Sequence, residues 1–428
     1  MRSILILGAG KSSIALIDYL VEQAAAQQWE VTVADITSEN ALLKTKGRAH
    51  THAIGFDLNN EQERRALIAK ADIVISMLPA VLHMIVAEDC LALKKNLVTP
   101  SYISDAMKAL DARVQEAGLV FMNEMGLDPG IDHMSAMQLL DELKAKGCTI
   151  TGFKSHCGGL VAPESDNNPW HYKFTWNPRN VVLAGQGAGG IHYLRNGETV
   201  NLKYEDLFAS ASELEVEGHG KFESYPNRDS LKYIGAYGLE GIGTMYRGTL
   251  RVPPFCKGWQ CLVKLGLTEE KEHHTNAFLA GKVEMRSYLG IGADSQEAGL
   301  LDYLQLSERL QELKQDTFVP SAWLQRILEE KWRMVPGDKD MVVMIHEIEY
   351  NEEGQEKRMQ SSLVSIGKDA EHTAMAITVG LPVGIITKMI LNGEVKRKGV
   401  LMPITSDIYS PVLKELVQHG IVFKEQGS

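Results

Sequence analysis

The chain is 428 residues long, 44% apolar and 23% charged, with a formal net charge of −11 at pH 7. That length supplies core for two or three domains of about 100–200 residues each, while the acidic balance excludes nucleic acid and anionic membrane as main partners, since both need a basic surface. An anionic ligand therefore has to be met by a locally positive pocket.

Residues 3–7 read as a buried strand and Gly8-Ala9-Gly10 as a tight turn. Ile14, Ile17, Leu20, Val21 and Ala24 then recur at the spacing of one helix face. A second strand over residues 30–34 ends at Asp35, where a βαβ mononucleotide unit places the acid that binds the adenosine ribose 2′-hydroxyl. An acid there repels a 2′-phosphate, which favours NAD over NADP, with NADP as the alternative. Ser13 stands where the glycine pattern commonly has Gly or Ala; it is small enough for close packing, and its hydroxyl can bond phosphate. The expected cofactor contacts are thus Gly8, Gly10, Lys11, Ser12, Ser13 and Asp35. Gly10-Lys11-Ser12 also ends like a P-loop, but Leu5 occupies the position where that motif needs its first glycine, so an ATPase is excluded.

Strands over residues 71–77 and 96–99 follow, each leading into helix-like sequence. Ligands of such sheets sit beyond the carboxyl ends of the strands, which puts Leu78-Pro79, Pro100-Ser101-Tyr102 and Asn123-Glu124-Met125 along the cofactor. Asp57, in Phe56-Asp57-Leu58, either meets the nucleotide or builds a cap. A helix begins near Ile131, with Asp128 or Asp132 as its cap. After Cys148 the βαβ alternation gives way to strands with aromatic and glycine-rich connections, among them residues 185–190. Residues 268–335 read as a helical insertion, and residues 341–350 and 361–367 as a hairpin around Asn351-Glu352-Glu353-Gly354. Residues 375–391 are apolar enough for a core or an interface, and residues 408–422 carry an amphipathic helix. The domain reading is residues 1–130 with about 395–428, residues 131–267 with about 336–394, and the insertion. Five cysteines in no ligand spacing point to neither a disulfide framework nor zinc, but to a reducing cytoplasm. The thirteen histidines show no metal spacing, and no stretch reaches 18 uninterrupted apolar residues.

Two glycine- and acid-rich turns flank one thiol: Gly126-Leu127-Asp128-Pro129-Gly130-Ile131-Asp132-His133, then Cys157-Gly158-Gly159 with Ala162-Pro163-Glu164-Ser165. Together with Tyr172-Lys173-Phe174-Thr175-Trp176, Tyr225-Pro226-Asn227-Arg228-Asp229-Ser230 and Arg247-Gly248-Thr249-Leu250-Arg251, they make the chain resemble the glutamate-forming saccharopine dehydrogenases over nearly its whole length. The resemblance implies an α/β Rossmann dinucleotide-binding domain plus an α+β substrate and dimerisation domain with a small helical insertion. It implies oxidation of saccharopine with NAD to L-glutamate and 2-aminoadipate 6-semialdehyde, in lysine metabolism, by a cytoplasmic homodimer. Asp128, then Cys157, then Tyr102 are the implied acid/base groups. Ser101, Tyr102, Asp128, Lys173, Trp176, Arg228, Thr249, Leu250 and Arg251 are the implied substrate contacts, and Ser101, Leu78, Pro79 and Asp57 join the cofactor set. Val161, His156 and Pro100 depart from the family pattern, on what reads as the substrate side. An NADP-dependent reductase of lysine synthesis, a carboxynorspermidine-type dehydrogenase and an NAD-sensing protein without turnover are the alternatives. The second needs only one carboxylate held, and the third would carry a degraded catalytic loop.

Overall fold

The computed structural model describes residues 1–187, 190–280, 282 and 284–427. Ala188 and Gly189 of the glycine-rich connection, Gly281 and Val283 of the helical insertion, and Ser428 lie outside the described residues. The chain divides into two compact units, Met1–Gly147 with Glu371–Val422, and Cys148–Ala370 with Phe423–Ser428.

The first unit is built on a seven-stranded parallel sheet. Its strands are β1 (Arg2–Leu7), β2 (Trp29–Asp35), β3 (Thr51–Gly55), β4 (Ile73–Ser76), β5 (Asn96–Val98), β6 (Val120–Met122) and a late strand, Gly399–Leu401. In space they run Gly399–Leu401, β6, β5, β4, β1, β2, β3. The order reverses at β1 and β4, which makes the carboxyl ends of those two strands the crevice where doubly wound folds bind ligands. Ile4, Ile6, Val31, Val33, Ile73 and Ile75 on one face and Leu5, Leu7 and Val74 on the other are all buried, as expected of a sheet covered on both faces.

The helix that follows β1, α1 (Ile14–Gln27), is backed by the 18-residue helix Ala374–Leu391. Mean hydropathy of 1.9 makes that helix long and apolar enough to cross a membrane, yet 83% of it is buried inside the protein. Residues 371–394, read from the sequence into the second domain, belong to the first unit. A Cβ on Gly380 would come within 2.6 Å of Leu16 N, and one on Gly384 within 2.6 Å of the Tyr19 ring. The two helices meet at a distance only glycine permits. Helix Ile131–Ala145, also read into the second domain, belongs to the first unit too. It packs on helix Ser406–Gln418, where Tyr409 Oη donates to Asp141 Oδ2 at 2.7 Å.

The second unit holds a mixed sheet around the long strand β7 (Thr149–Val161). Its main run is Ser212–Val216, Gly220–Pro226, Thr244–Arg251, β7, Asp340–Glu352, Gln355–Ile366 and Phe423–Gly427. Thr244–Arg251 pairs with β7 in parallel, and the other neighbours of this run are antiparallel. Strands Asp340–Glu352 and Gln355–Ile366 form a longer hairpin than their apolar stretches alone predict. Its tip has φ of +52° at Glu353 and +85° at Gly354, the two left-handed residues of a tight hairpin turn. Phe423–Gly427, read as part of the nucleotide domain, pairs instead with Gln355–Ile366 as an edge strand. Helices Gln296–Leu304, Leu306–Gln311 and Pro320–Lys331 close the aromatic core of this unit: Leu300, Leu304, Leu324 and Leu328 pack with Trp170, Tyr172, Phe255, Trp259 and Trp332.

Candidate active site

In the first unit the candidate residues gather at the carboxyl ends of the strands. Gly8 has φ of +103°, and a Cβ there would lie 3.0 Å from Met77 O, so the turn after β1 passes against the end of β4 as only glycine can. Gly10 has open space around it and precedes a short 3-10 turn, Lys11–Ser13, that leads into α1. Ser13 is buried and its hydroxyl donates to Gly10 O at 2.8 Å, while Lys11 is exposed. Asp35 joins the end of β2 to this turn: Oδ2 accepts from Ala9 N at 2.7 Å, and Oδ1 from Ile36 N and Asn40 Nδ2. Glycine turn, helix amino end and β2 carboxylate together fit a dinucleotide. Asp57 is exposed and accepts from Asn59 N, building the turn before helix Glu61–Lys70, whose cap is Asn60. Leu78 and Pro79 lead from β4 into a short turn.

Ser101 and Tyr102 follow β5. The Ser101 hydroxyl is 2.6 Å from Nε2 of His83, whose Nδ1 is 2.8 Å from Ser76 Oγ. Burial pushes the His83 ring down to about 4, so it stays neutral at physiological pH. Tyr102 Oη donates to Asp128 Oδ1 at 2.8 Å. Neither aspartate caps the helix: its N-cap is Gly130, with no side-chain cap bond, while Asp132 in the first turn accepts from Gly130 N through Oδ1 at 2.6 Å and Asp128 is engaged by the phenol. Gly130 is obligatory: φ is +147°, and a Cβ would fall 2.0 Å from Gly126 O.

In the second unit, strand alternation sorts the candidates. Tyr225, Thr249 and Cys157 lie in register across three neighbouring strands, and Arg251 is two residues beyond Thr249 on the same face. Cys157 is buried. Arg251 is 2% exposed and stacks over the rings of Tyr172, Phe255 and Tyr225 at 5.0, 5.1 and 5.7 Å. Its Nη1 donates to Leu250 O at 2.7 Å, its Nε has no partner, and no carboxylate lies within ion-pair distance among the described residues. Burial pushes the Tyr225 phenol up to about 12, so it remains a neutral donor.

Not every candidate joins that face. The Leu250 side chain points the other way, into a cluster with Leu160, Phe222 and Val343. His156 is on that opposite face as well, 2.7 Å from Ser224 Oγ. Lys173 is committed to a buried ion pair, its Nζ 2.7 Å from Asp338 Oδ2. Trp176 packs at the margin of the aromatic core. Arg228 is exposed with φ of +54°. Arg247, by contrast, was passed over as a site residue, although it is buried and stacks over Tyr233 at 4.4 Å on the face of Thr249 and Arg251. The period-two pattern Arg247-x-Thr249-x-Arg251 is the signal that finds it.

The first unit thus has the architecture of a nucleotide-binding Rossmann sheet, and the second is an α+β unit with a deeply buried cation. Residues 4–122 match the family model described as the saccharopine dehydrogenase NADP binding domain, and residues 126–421 match the saccharopine dehydrogenase C-terminal domain. The chain belongs to the saccharopine dehydrogenase family. It is 33% identical to the mitochondrial alpha-aminoadipic semialdehyde synthase of Bos taurus over 451 residues, which is 100% of the chain but 48% of that protein. The chain therefore spans about half the length of that relative. Against the NADP(+)-dependent, L-glutamate-forming saccharopine dehydrogenase of Saccharomyces cerevisiae it is 34% identical, with 99% of both chains covered. The solved apo structure of the L-Glu-forming saccharopine dehydrogenase of that yeast superposes with a TM-score of 0.86 at 32% identity, covering 100% of both chains.

Proposed function

We propose that the protein oxidises saccharopine, a secondary amine with three carboxylates, with a nicotinamide dinucleotide, and that hydrolysis of the resulting imine releases L-glutamate and 2-aminoadipate 6-semialdehyde. The observation that carries this reading is Arg251. A guanidinium buried without a counter-charge is costly, three ring faces offset only part of that cost, and an anionic ligand group would meet the rest. A carboxylate would take the unpartnered Nε–H together with a terminal N–H in the bidentate geometry that suits arginine.

The dinucleotide supplies the hydride acceptor. Asp128 takes the amine proton as general base, and the Tyr102 phenol, hydrogen-bonded to it, fixes the direction of its free lone pairs. Cys157 and Tyr102 are the second and third candidates for the proton, and Thr249 orients a substrate oxygen through its hydroxyl.

We further infer that NAD is the preferred dinucleotide and that the reaction runs toward lysine breakdown. The support is Asp35, a carboxylate held at the end of β2 by Ala9 N, where a 2′-phosphate would meet like charge. The fungal relatives carry NADP(+) in their names, so this is where the chain would depart from them. Reduced-nicotinamide formation with saccharopine, run in parallel with NAD and NADP and with glutamate assayed in the same tubes, tests both readings. Turnover with NADP alone would keep the reaction and overturn the preference, and no turnover with either would overturn the reaction. In Asp35→Ala the ratio of the two kcat/KM values should move toward NADP.

A further inference from the structure

The loop after β5 and the Gly126–His133 turn are separate segments of the first unit, yet they carry the two ends of one hydrogen bond, Tyr102 to Asp128. Glu124 spans them. Its side chain is buried; Oε1 accepts from Ile103 N at 2.9 Å, directly after Tyr102, and Oε2 lies 2.7 Å from His133 Nε2. Its backbone N donates to Ser101 O at 3.0 Å, so Tyr102 is gripped on both sides by this one residue. His133 is fully buried, and its other ring nitrogen lies 3.6 Å from Asp132 Oδ2, whose partner oxygen anchors Gly130 N. A chain of polar neighbours thus runs Ile103, Glu124, His133, Asp132, Gly130 between the two segments. Glu124 also sits at φ of +53°, a backbone state that a non-glycine residue keeps only where its surroundings over-determine it, and such positions concentrate at functional sites. None of these groups enters the proton transfer itself.

We propose that Glu124 and His133 are a positioning pair that holds Tyr102 on Asp128. For its chemistry this rests on the function proposed above; for its geometry it does not. The side chain matters for its two-pronged reach, to Ile103 N and to the imidazole at once. That reach does not survive a side chain shorter by one methylene.

The test pairs Glu124→Asn, which tolerates the left-handed backbone but cannot reach both Ile103 and His133, with Glu124→Gln, which can. 3-Fluorotyrosine placed at position 102 reports the phenol by its fluorine resonance, with Asp128→Asn as the reference for a lost carboxylate acceptor. The expected result is that Glu124→Asn moves the resonance in the direction of Asp128→Asn. The double variant should move it little further, and Glu124→Gln should keep it near the wild-type position. In the same proteins kcat with saccharopine should fall about 10- to 100-fold in Glu124→Asn, the scale of a misplaced catalytic group, with the dinucleotide KM unchanged and most of the loss recovered in Glu124→Gln. Should Glu124→Asn not fold, His133→Gln serves in its place with the same expectations. A folded variant with the wild-type resonance, or one whose dinucleotide KM rises in step with the loss of kcat, overturns the proposal. The fluorine readout needs no substrate, so a wild-type chain that leaves saccharopine untouched removes the functional reading while the resonance still decides the positioning pair.

Discussion

Replacing His83 by glutamine should change how the first unit responds to pH. The ring is buried at the ends of β4 and β5, bonded to Ser76 and Ser101, and burial holds its pKa at about 4 instead of 6.5. A depressed histidine pKa means that the unfolded chain takes up the proton more readily than the folded one. The stability given by the neutral ring is therefore complete above pH 6.5 and is lost as pH falls toward 4. That gap corresponds to about 3 kcal/mol over the whole window, and about 2 kcal/mol of it disappears between pH 7 and pH 5. Glutamine does not titrate, and losing one of the two hydrogen bonds costs about 1 kcal/mol at any pH. The wild type should thus be the more stable protein at pH 7 and the less stable, or equal, at pH 5. Native-state hydrogen exchange on peptides from β1, β4 and β5 reads the opening free energy of this unit directly. A difference between wild type and variant that stays the same at the two pH values would refute the reasoning.

Lys173→Met strips Asp338 of its buried partner and should lower unfolding stability by about 3–5 kcal/mol; a thermally unaltered variant with raised saccharopine KM would instead return Lys173 to the substrate site. Arg251→Met removes a buried cation from an aromatic cage and should leave thermal stability within about 1 kcal/mol, while saccharopine kcat/KM falls at least about 100-fold, the loss of a desolvated charge pair. Equal loss of dinucleotide binding would remove Arg251 from the substrate site. Gly130→Ala forces a Cβ into Gly126 O at a positive φ, and should reduce stability by about 3 kcal/mol or more, visible as a lower Tm or insoluble protein.

Strands β1, β2, β4 and β5 of the nucleotide half were legible from their apolar residues, with Gly8 and Asp35 at fixed offsets from them, whereas β3, with no buried residue, and the three-residue strands β6 and Gly399–Leu401 were not. Residues 374–391 were not assignable by the same means. A helix buried nearly all round has no polar face, so its pattern does not say which unit it serves, and only the close approach at Gly380 and Gly384 decides that. Phe423–Gly427 has one apolar residue in five; it is a strand because Gln355–Ile366 offers it an edge, a fact no local pattern contains. In the site, the residue types were legible but their engagement was not. Asp128 and Asp132 were equal candidates for a cap that Gly130 fills without either side chain, and Leu250 was grouped with its neighbours although strand alternation turns it away from Thr249 and Arg251. Arg247 was within reach of that same alternation. Glu124 and His133 were not, because their partners come from another segment of the chain.

The glycine contact between α1 and helix Ala374–Leu391 has a genetic consequence. Gly380 stands hundreds of residues after the glycine turn in the chain, yet it rests on the backbone of Leu16, one turn into the helix that the glycine turn launches. An alanine at position 380 would shift α1 at its first turn and disturb the glycine turn that, on the function proposed above, holds the pyrophosphate. In a screen of inherited or engineered variants it would score as a defect in dinucleotide KM, and a map that weighs only residues near the glycine motif would file it as background.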